Sequence, residues 1–232
     1  MEVIPIKTEY FNEGESLLDF IYKYVPQLNN GDVLVITSKI IALAQKRTHN
    51  NIEDKEKIMV EESTDTIRTA WGTVMTLQEG RWCAGAGIDE SNAAGKLVLF
   101  PTNLDEETLS IRKSLQSKYQ INNLGVVVTD GRSTPLRPGV TSTAVASSGI
   151  KLLRSYIGKE DLCGHVMQYS RMNVVDSIAS AAGLVMGEGA EGVPLVILRN
   201  APVEFTEAAT PKSELYIEPQ DDLYKEVYKK YS

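Results

Sequence analysis

Cysteine is nearly absent. Cys83 and Cys163 are the only two in 232 residues, and they form no CxxC pair, so neither a disulfide framework nor a cysteine-rich zinc site is indicated. Cys83, within Trp82-Cys83-Ala84-Gly85, reads as a small buried hydrophobe before it reads as a nucleophile. Histidine is as scarce: His49 and His165 stand in polar stretches with no nearby carboxylate and no second histidine at helical spacing, so metal and triad roles lack support. There is no clustered Lys/Arg stripe and the formal charge is -7, which argues against nucleic acid or an anionic membrane as the principal partner. No apolar run approaches the roughly 20 residues needed to span a bilayer. The start, Met1-Glu2-Val3-Ile4-Pro5, also lacks a basic stretch followed by an apolar one. The expectation is a cytoplasmic protein without membrane segments.

What is present is the patterning of a globular chain long enough for one large domain. Gly31-Asp32-Val33-Leu34-Val35-Ile36-Thr37 has the turn residues and β-branched run of a buried strand, and Ser38-Lys39 opens a helical stretch to Gln45. Leu17, Leu18, Ile21 and Val25 recur at helical spacing before it, and Val3 to Ile6 forms a short first strand. Asn51 to Thr66 is charged and poorly periodic, a surface helix or a loop excursion. Strands are expected at Thr73 to Gln78 and Leu97 to Phe100, with the glycine-punctuated turn Gly85 to Asn92 between them. Asn103 with Glu106 resembles a capping box for a helix that buries Leu109, Leu115 and Tyr119 and ends near Lys118. Leu124 to Thr129 is the most strand-like run and ends on Asp130-Gly131-Arg132, after which Pro135, Pro138 and Gly139 break structure before the small-residue run from Thr141 to Gly149. Val175, Ile178, Ala179, Ala182 and Val185 define a helix from Asn173 to Met186 that stops at Gly187. Val193 to Leu198 reads as a last strand, its proline placing it at an edge or marking the strand's start. The domain is thus read as residues 1–205, and residues 206–232 as a polar tail with a short helix through Leu223, Val227 and Tyr231.

Two segments place a carboxylate in a tight glycine-containing loop beside a strand: Asp89 and Asp130. Hard divalent cations take such ligands, with one or two carboxylates completed by phosphate and water. An aspartate in a turn also serves as an Asx-turn or cap, so the pair needs outside support. Gly85-Ala86-Gly87 and Gly187-Glu188-Gly189 could present backbone N–H groups to oxyanions. Lys39 and Arg137 are candidates for phosphate or substrate carboxylate, with a surface salt bridge as the alternative for each.

Six blocks, in order, resemble the coenzyme F420-0:γ-glutamyl ligase family. They are Gly31 to Ile40, Ala86 to Asn92, Ser110-Ile111-Arg112-Lys113-Ser114-Leu115, Val128-Thr129-Asp130, Pro135-Leu136-Arg137-Pro138-Gly139, and Ala181 to Gly187. The resemblance implies an α+β fold peculiar to that family, with mixed sheets and flanking helices, acting as a homodimer. It further implies GTP or ATP as co-substrate, two Mg²⁺ or Mn²⁺ ions, and γ-glutamyl ligation of L-glutamate to F420-0 or a folate-type acceptor. Carried over residue by residue, Asp89, Asp130 and Glu188 bind metal, and Asp130 and Arg137 serve catalysis. Pro5, Ser38, Lys39, Asn92, Gly187 and Gly189 border or contact the nucleotide.

The chain departs from the family at several points. After the second aspartate the family reads Asp-Thr-Phe-Gly-Arg-Pro-Trp-Arg, whereas here Asp130-Gly131-Arg132-Ser133-Thr134-Pro135-Leu136-Arg137 stands, so the metal-binding threonine is missing. Ser133 or Thr134 could substitute, and Glu188, where the family often has glutamine, could offset the lost hydroxyl. Leu43 stands where the family usually carries a nucleotide-contacting lysine, leaving Lys46 or Arg47 to reach instead. These features resemble a bacterial branch with a proposed role in folate metabolism. They also leave open a metal- and nucleotide-binding regulator of the same fold that no longer ligates.

Overall fold

Neighbouring residues of a strand face opposite ways, and in the central strands both faces are apolar, so the sheet must be covered on both sides. The computed structural model describes residues 1–69, 72–78, 80–218 and 220–227. The chain begins with β1 (Glu2–Ile6), α1 (Leu17–Tyr24), β2 (Asp32–Thr37) and α2 (Ser38–Ala44). A middle portion follows with β3 (Thr48–His49), α3 (Lys55–Glu61), β4 (Asp65–Arg68), β5 (Val74–Gln78), β6 (Arg81–Ala84) and β7 (Leu97–Val98). Then come α4 (Leu104–Tyr119), β8 (Leu124–Ser133), β9 (Val140–Ser148), β10 (Leu153–Ser155), β11 (Arg171–Asn173), α5 (Val174–Met186) and β12 (Leu195–Arg199). The main sheet has the order β1-β12-β2-β8-β9, with β2 and β8 parallel and the other pairs antiparallel. Smaller sheets are β4-β5-β6, β3-β7 and β10-β11. The class is α+β with mixed sheets and flanking helices, as expected.

Leu34, Ile36, Val126, Val128, Leu195 and Ile197 face one side, in a core shared with Ile21, Ile41, Ile111 and Leu115 from α1, α2 and α4. Val33, Val35, Val127, Val196 and Leu198 face the other, against Val175, Ile178, Ala179 and Ala182 of α5. Each of the valine, leucine and isoleucine side chains among them contributes about 1.5–3 kcal/mol on full burial. Doubly covered β2 and β8 are therefore the rigid frame on which the rest is mounted. Ser16 caps α1 by accepting from Asp19 N at 3.3 Å, and Asn173 caps α5 by accepting from Asp176 N at 3.1 Å.

Several elements differ from expectation. Asn103 adopts a left-handed conformation (φ 53°) and makes no side-chain cap bond, so the capping box does not form. Leu115 is buried and Tyr119 packs against the core as expected, but Leu109 is exposed, because the buried face of α4 runs through Leu104, Thr108, Ile111 and Arg112. The strand that was to end at Thr129 continues to Ser133, so Asp130 lies inside β8, opposite Thr143 of β9, and not in a loop. The small-residue run after Thr141 belongs to β9, whose backbone completes the ladder of β8. Pro194 precedes β12, which sits between β1 and β2; the edge placement is wrong and the strand-start reading holds. His49 does have a carboxylate partner, Asp54, at 2.9 Å.

The polar segment after Thr206 is tied to the body. Thr210 Oγ1 donates to Ser147 O at 3.1 Å, Lys212 N donates to Asp105, and Lys212–Leu215 forms a 3₁₀ turn whose Leu215 packs against the α5-side core. Residues 225–227 are helical and Leu223 is exposed, while the rest of the expected terminal helix, Tyr231 included, lies outside the described residues.

Candidate active site

Parallel strands deliver their C-terminal ends to the same side of a sheet, and ligands of open sheets commonly gather there. Here Thr37 of β2 pairs with Thr129 of β8, so Ser38 and Asp130 emerge next to each other. They line a cavity of about 390 Å³ whose other walls come from residues 8–11, the 87–92 loop, residues 98–101 and the 186–194 loop. The register shifts between Val128 and Thr129, where the partner strand β9 carries one extra residue, Val145, so a β-bulge in β9 lies beside the approach to Asp130.

Asp130 Oδ1 accepts from Ser38 Oγ at 3.1 Å, and Oδ2 faces Arg81 Nη1 at 3.5 Å. Burial pushes its carboxyl above the usual carboxylate range, against the opposing pull of Arg81 and Ser38. Asp89 is in the reverse state. Burial raises it, but the Lys39 ammonium at 2.6 Å and two bonds from Ser91, at 2.7 and 3.0 Å, outweigh that and hold it below the usual range. Lys39 also donates to the Ser91 carbonyl at 2.9 Å, which fixes the 87–92 loop to α2.

Glu188 completes the group. Burial raises its carboxyl, followed by the charges of Asp130 and Asp89, with Glu191 adding to them. Four carboxylates thus share one cation of the cavity lining, Lys39, while Arg81 faces Asp130 alone, from outside the lining. Oxygen donors with excess negative charge are what a hard divalent cation requires, so Mg²⁺ or Mn²⁺ fits the donor set. Among the described residues, no three His, Cys, Asp or Glu side chains already stand grouped at metal-binding spacing. The carboxylates are spread along the wall.

The altered loop after Asp130 has a geometric counterpart. A Cβ built on Gly131, where the resemblance expects threonine, would lie 3.8 and 3.9 Å from the Glu188 carboxylate oxygens and 2.8 Å from Val140 Cγ1. Glu188 therefore reaches the neighbourhood that a side chain at position 131 would enter. α5 ends at Gly187 with φ 72° and ψ -179°, a backbone state that glycine alone adopts without strain. The loop beyond is held from two sides: Asn92 Nδ2 donates to Gly189 O at 2.9 Å, and Thr8 N to Gly192 O at 2.9 Å. Tyr10 Oη in turn donates to Asn92 O at 3.0 Å.

Of the residues singled out from sequence, the cavity brings together Ser38, Lys39, Asp89, Asn92, Asp130, Gly187, Glu188 and Gly189. Pro5 pairs with Val196 in the sheet and does not line the cavity; residues 8–11, just after β1, do. Arg137 sits at the exposed tip of the β8–β9 hairpin with Ser133 and Thr134, outside the lining. Leu43 is buried in the wall, and neither Lys46 nor Arg47 lines it, since Arg47 turns to Glu62 at 2.5 Å and to Phe100 O at 3.1 Å. Sequence reasoning missed Arg81. Its only signal was a lone basic residue entering an apolar strand, Arg81-Trp82-Cys83.

The F420-0:Gamma-glutamyl ligase family matches residues 5–200. A curated coenzyme F420:L-glutamate ligase of Methanococcus maripaludis (strain C7) is 30% identical to the chain, with 97% of each covered. The proteins of the same name from Methanocaldococcus jannaschii and Archaeoglobus fulgidus are each 29% identical. The first alignment covers 88% of this chain and 90% of the relative, and the second covers 99% and 98%.

Proposed function

The chain belongs to the F420-0:γ-glutamyl ligase family, and from that premise we propose that it joins L-glutamate through its amine to a carboxylate of an F420-0 or folate-type acceptor, consuming GTP or ATP. The observation that carries this reading is the convergence of Asp89, Asp130 and Glu188 with Lys39 on one cavity where the parallel pairing of β2 and β8 ends. A free carboxylate does not acylate an amine, because its oxygen leaves too poorly. Transfer of the terminal phosphoryl group breaks the bond between that phosphorus and the nucleotide's bridging oxygen and forms an acyl phosphate. Attack by the glutamate amine then forms the C–N bond, loses a proton and releases inorganic phosphate.

The chain's own residues have defined parts in this reading. Asp89, Asp130 and Glu188 would hold Mg²⁺ or Mn²⁺, which when bound offsets the charge of the phosphates and of the transfer. Lys39 orients Asp89 and, at the mouth of α2, offers an ammonium to phosphate. Phe11, Leu43, Phe100 and Pro101 give the cavity an apolar wall that keeps water from the activated acyl group. The 187–194 loop, tied by Asn92 and Thr8, covers the site. The same reading includes a homodimer, supported by exposed Ile157, Leu162, Val166, Tyr169 and Met172 on the β10–β11 arm, which a second copy would cover.

Product mass spectrometry tests it: protein, Mg²⁺ or Mn²⁺, GTP or ATP, and glutamate, with F420-0 and folate offered in parallel. The expected result is a gain of one glutamyl residue on one acceptor. Metal-dependent nucleotide binding with no product on either would replace the ligase by a nucleotide-binding regulator.

A further inference from the structure

Asp130 is approached from outside the cavity as well as exposed to it. Arg81 does not line the cavity, although Asp130 does. The Arg81 side chain is 8% exposed; its guanidinium lies 4.5 Å from the centre of the Phe100 ring and directs Nη1 to Asp130 Oδ2 at 3.5 Å. It comes from β6, in the three-stranded β4-β5-β6 sheet, so a separate structural unit supplies the counter-charge. Ser38 holds Oδ1 from α2, and Arg81 faces Oδ2. Each carboxylate oxygen thus has its own side-chain donor.

Arg81 sits at the end of the β5–β6 hairpin, where it pairs with Gln78. Beside it is Gly80 (φ 76°), where a Cβ would come within 2.9 Å of Tyr216 Cδ2. That tyrosine belongs to the C-terminal segment, just after the 3₁₀ turn anchored by Asp105 and Leu215. The tail therefore braces the turn that presents Arg81.

We propose that Arg81 is a positioning residue that orients and partly neutralises Asp130 from behind the cavity wall, and that Tyr216, seated on Gly80, keeps it there. The inference rests on the reading of Asp130 as a cation ligand. A positive charge beside Oδ2 opposes cation binding while it holds the oxygen in place. Its removal should therefore move metal affinity and turnover in opposite directions, which a merely structural role would not do.

The test uses the full chain and Mn²⁺ alone, with free Mn²⁺ followed by electron paramagnetic resonance. Arg81→Met keeps the apolar stem against Phe100 without the charge. It should tighten Mn²⁺ binding about threefold or more and lower turnover in the ligation assay by about tenfold or more at unchanged nucleotide KM. Arg81→Lys should restore most of the wild-type Mn²⁺ affinity. Tyr216→Ala should shift Mn²⁺ affinity in the same direction by a smaller factor. Unchanged Mn²⁺ affinity and turnover in Arg81→Met, or weaker binding together with a lowered melting temperature, would overturn the assignment. Unchanged Mn²⁺ affinity in Tyr216→Ala would overturn the role of the tail. If the wild-type protein binds no Mn²⁺, the cation reading of Asp130 itself fails.

Discussion

β2 and β8 run parallel, and each end of the pair carries an aspartate facing an arginine, in opposite states. At the N-terminal end Asp32 is 1% exposed and receives two bonds from Arg199, 3.0 Å from Nε and 2.9 Å from Nη2, and a third from Asn29 N at 2.8 Å. At the C-terminal end Asp130 has a loose single approach from Arg81 at 3.5 Å, a hydroxyl, and an open cavity in front. A bidentate, fully bonded pair has used its capacity and serves the fold. A carboxylate with unused lone pairs, close to the charge of Glu188, is available to a ligand.

The comparison breaks most sharply if Asp130 proves structural. Asp130→Asn should reduce ligation by on the order of 10²–10³-fold, the scale of losing one strong electrostatic contact to a reacting group. It should leave the melting temperature unchanged or raised, because the charge it removes is held largely out of water with one loose counter-ion. Wild-type turnover at saturating metal would overturn the site. The opposite signature is expected at the other end. Arg199→Met strands the buried Asp32 charge and should cost about 3 kcal/mol in denaturant unfolding, with nucleotide KM unchanged in the folded protein. If Arg199→Met changed KM but not stability, the two ends would not differ as argued.

How far this contrast could be read from sequence depends on distance along the chain. β2, β8 and α5 were legible because two-residue and 3.6-residue periodicities are local, and both faces of the sheet demand apolar residues. β9 was not, since its run of Thr, Ser and Ala carries no strong alternation and becomes a strand through pairing with β8. The start of α4 was misread because Asn103 enters it in a left-handed state that the Asn-to-Glu spacing does not reveal. In the site, the cavity gathers Asp89, Asp130 and Glu188 from three distant segments; the family blocks hold the two aspartates, and Glu188 follows the last block as a departure from it. Arg81 escaped notice because its contact with Asp130 joins different sheets across 49 residues. The Arg137 block was visible in sequence, yet the hairpin carries it away from the cavity, since Pro135 and Pro138 fall in the turn and not in the wall.

The smallest expected effect tests how finely Asp130 is held. Ser38 is the first residue of α2, is buried, and gives Asp130 Oδ1 its hydroxyl bond. Arg81 and the backbone of Gly131 still face the carboxylate when that hydroxyl is gone. Ser38→Ala should therefore cost about 0.5–1.5 kcal/mol, the worth of one hydrogen bond. That is a fall of roughly two- to thirteenfold in kcat/KM. At the closed end, deleting one of the three donors to Asp32 would appear in stability. Here the loss should appear in activity, because the carboxylate's remaining freedom is directed into the cavity. A Ser38→Ala variant that loses stability and keeps its kcat/KM would place Asp130 with Asp32, as a second clamp of the sheet.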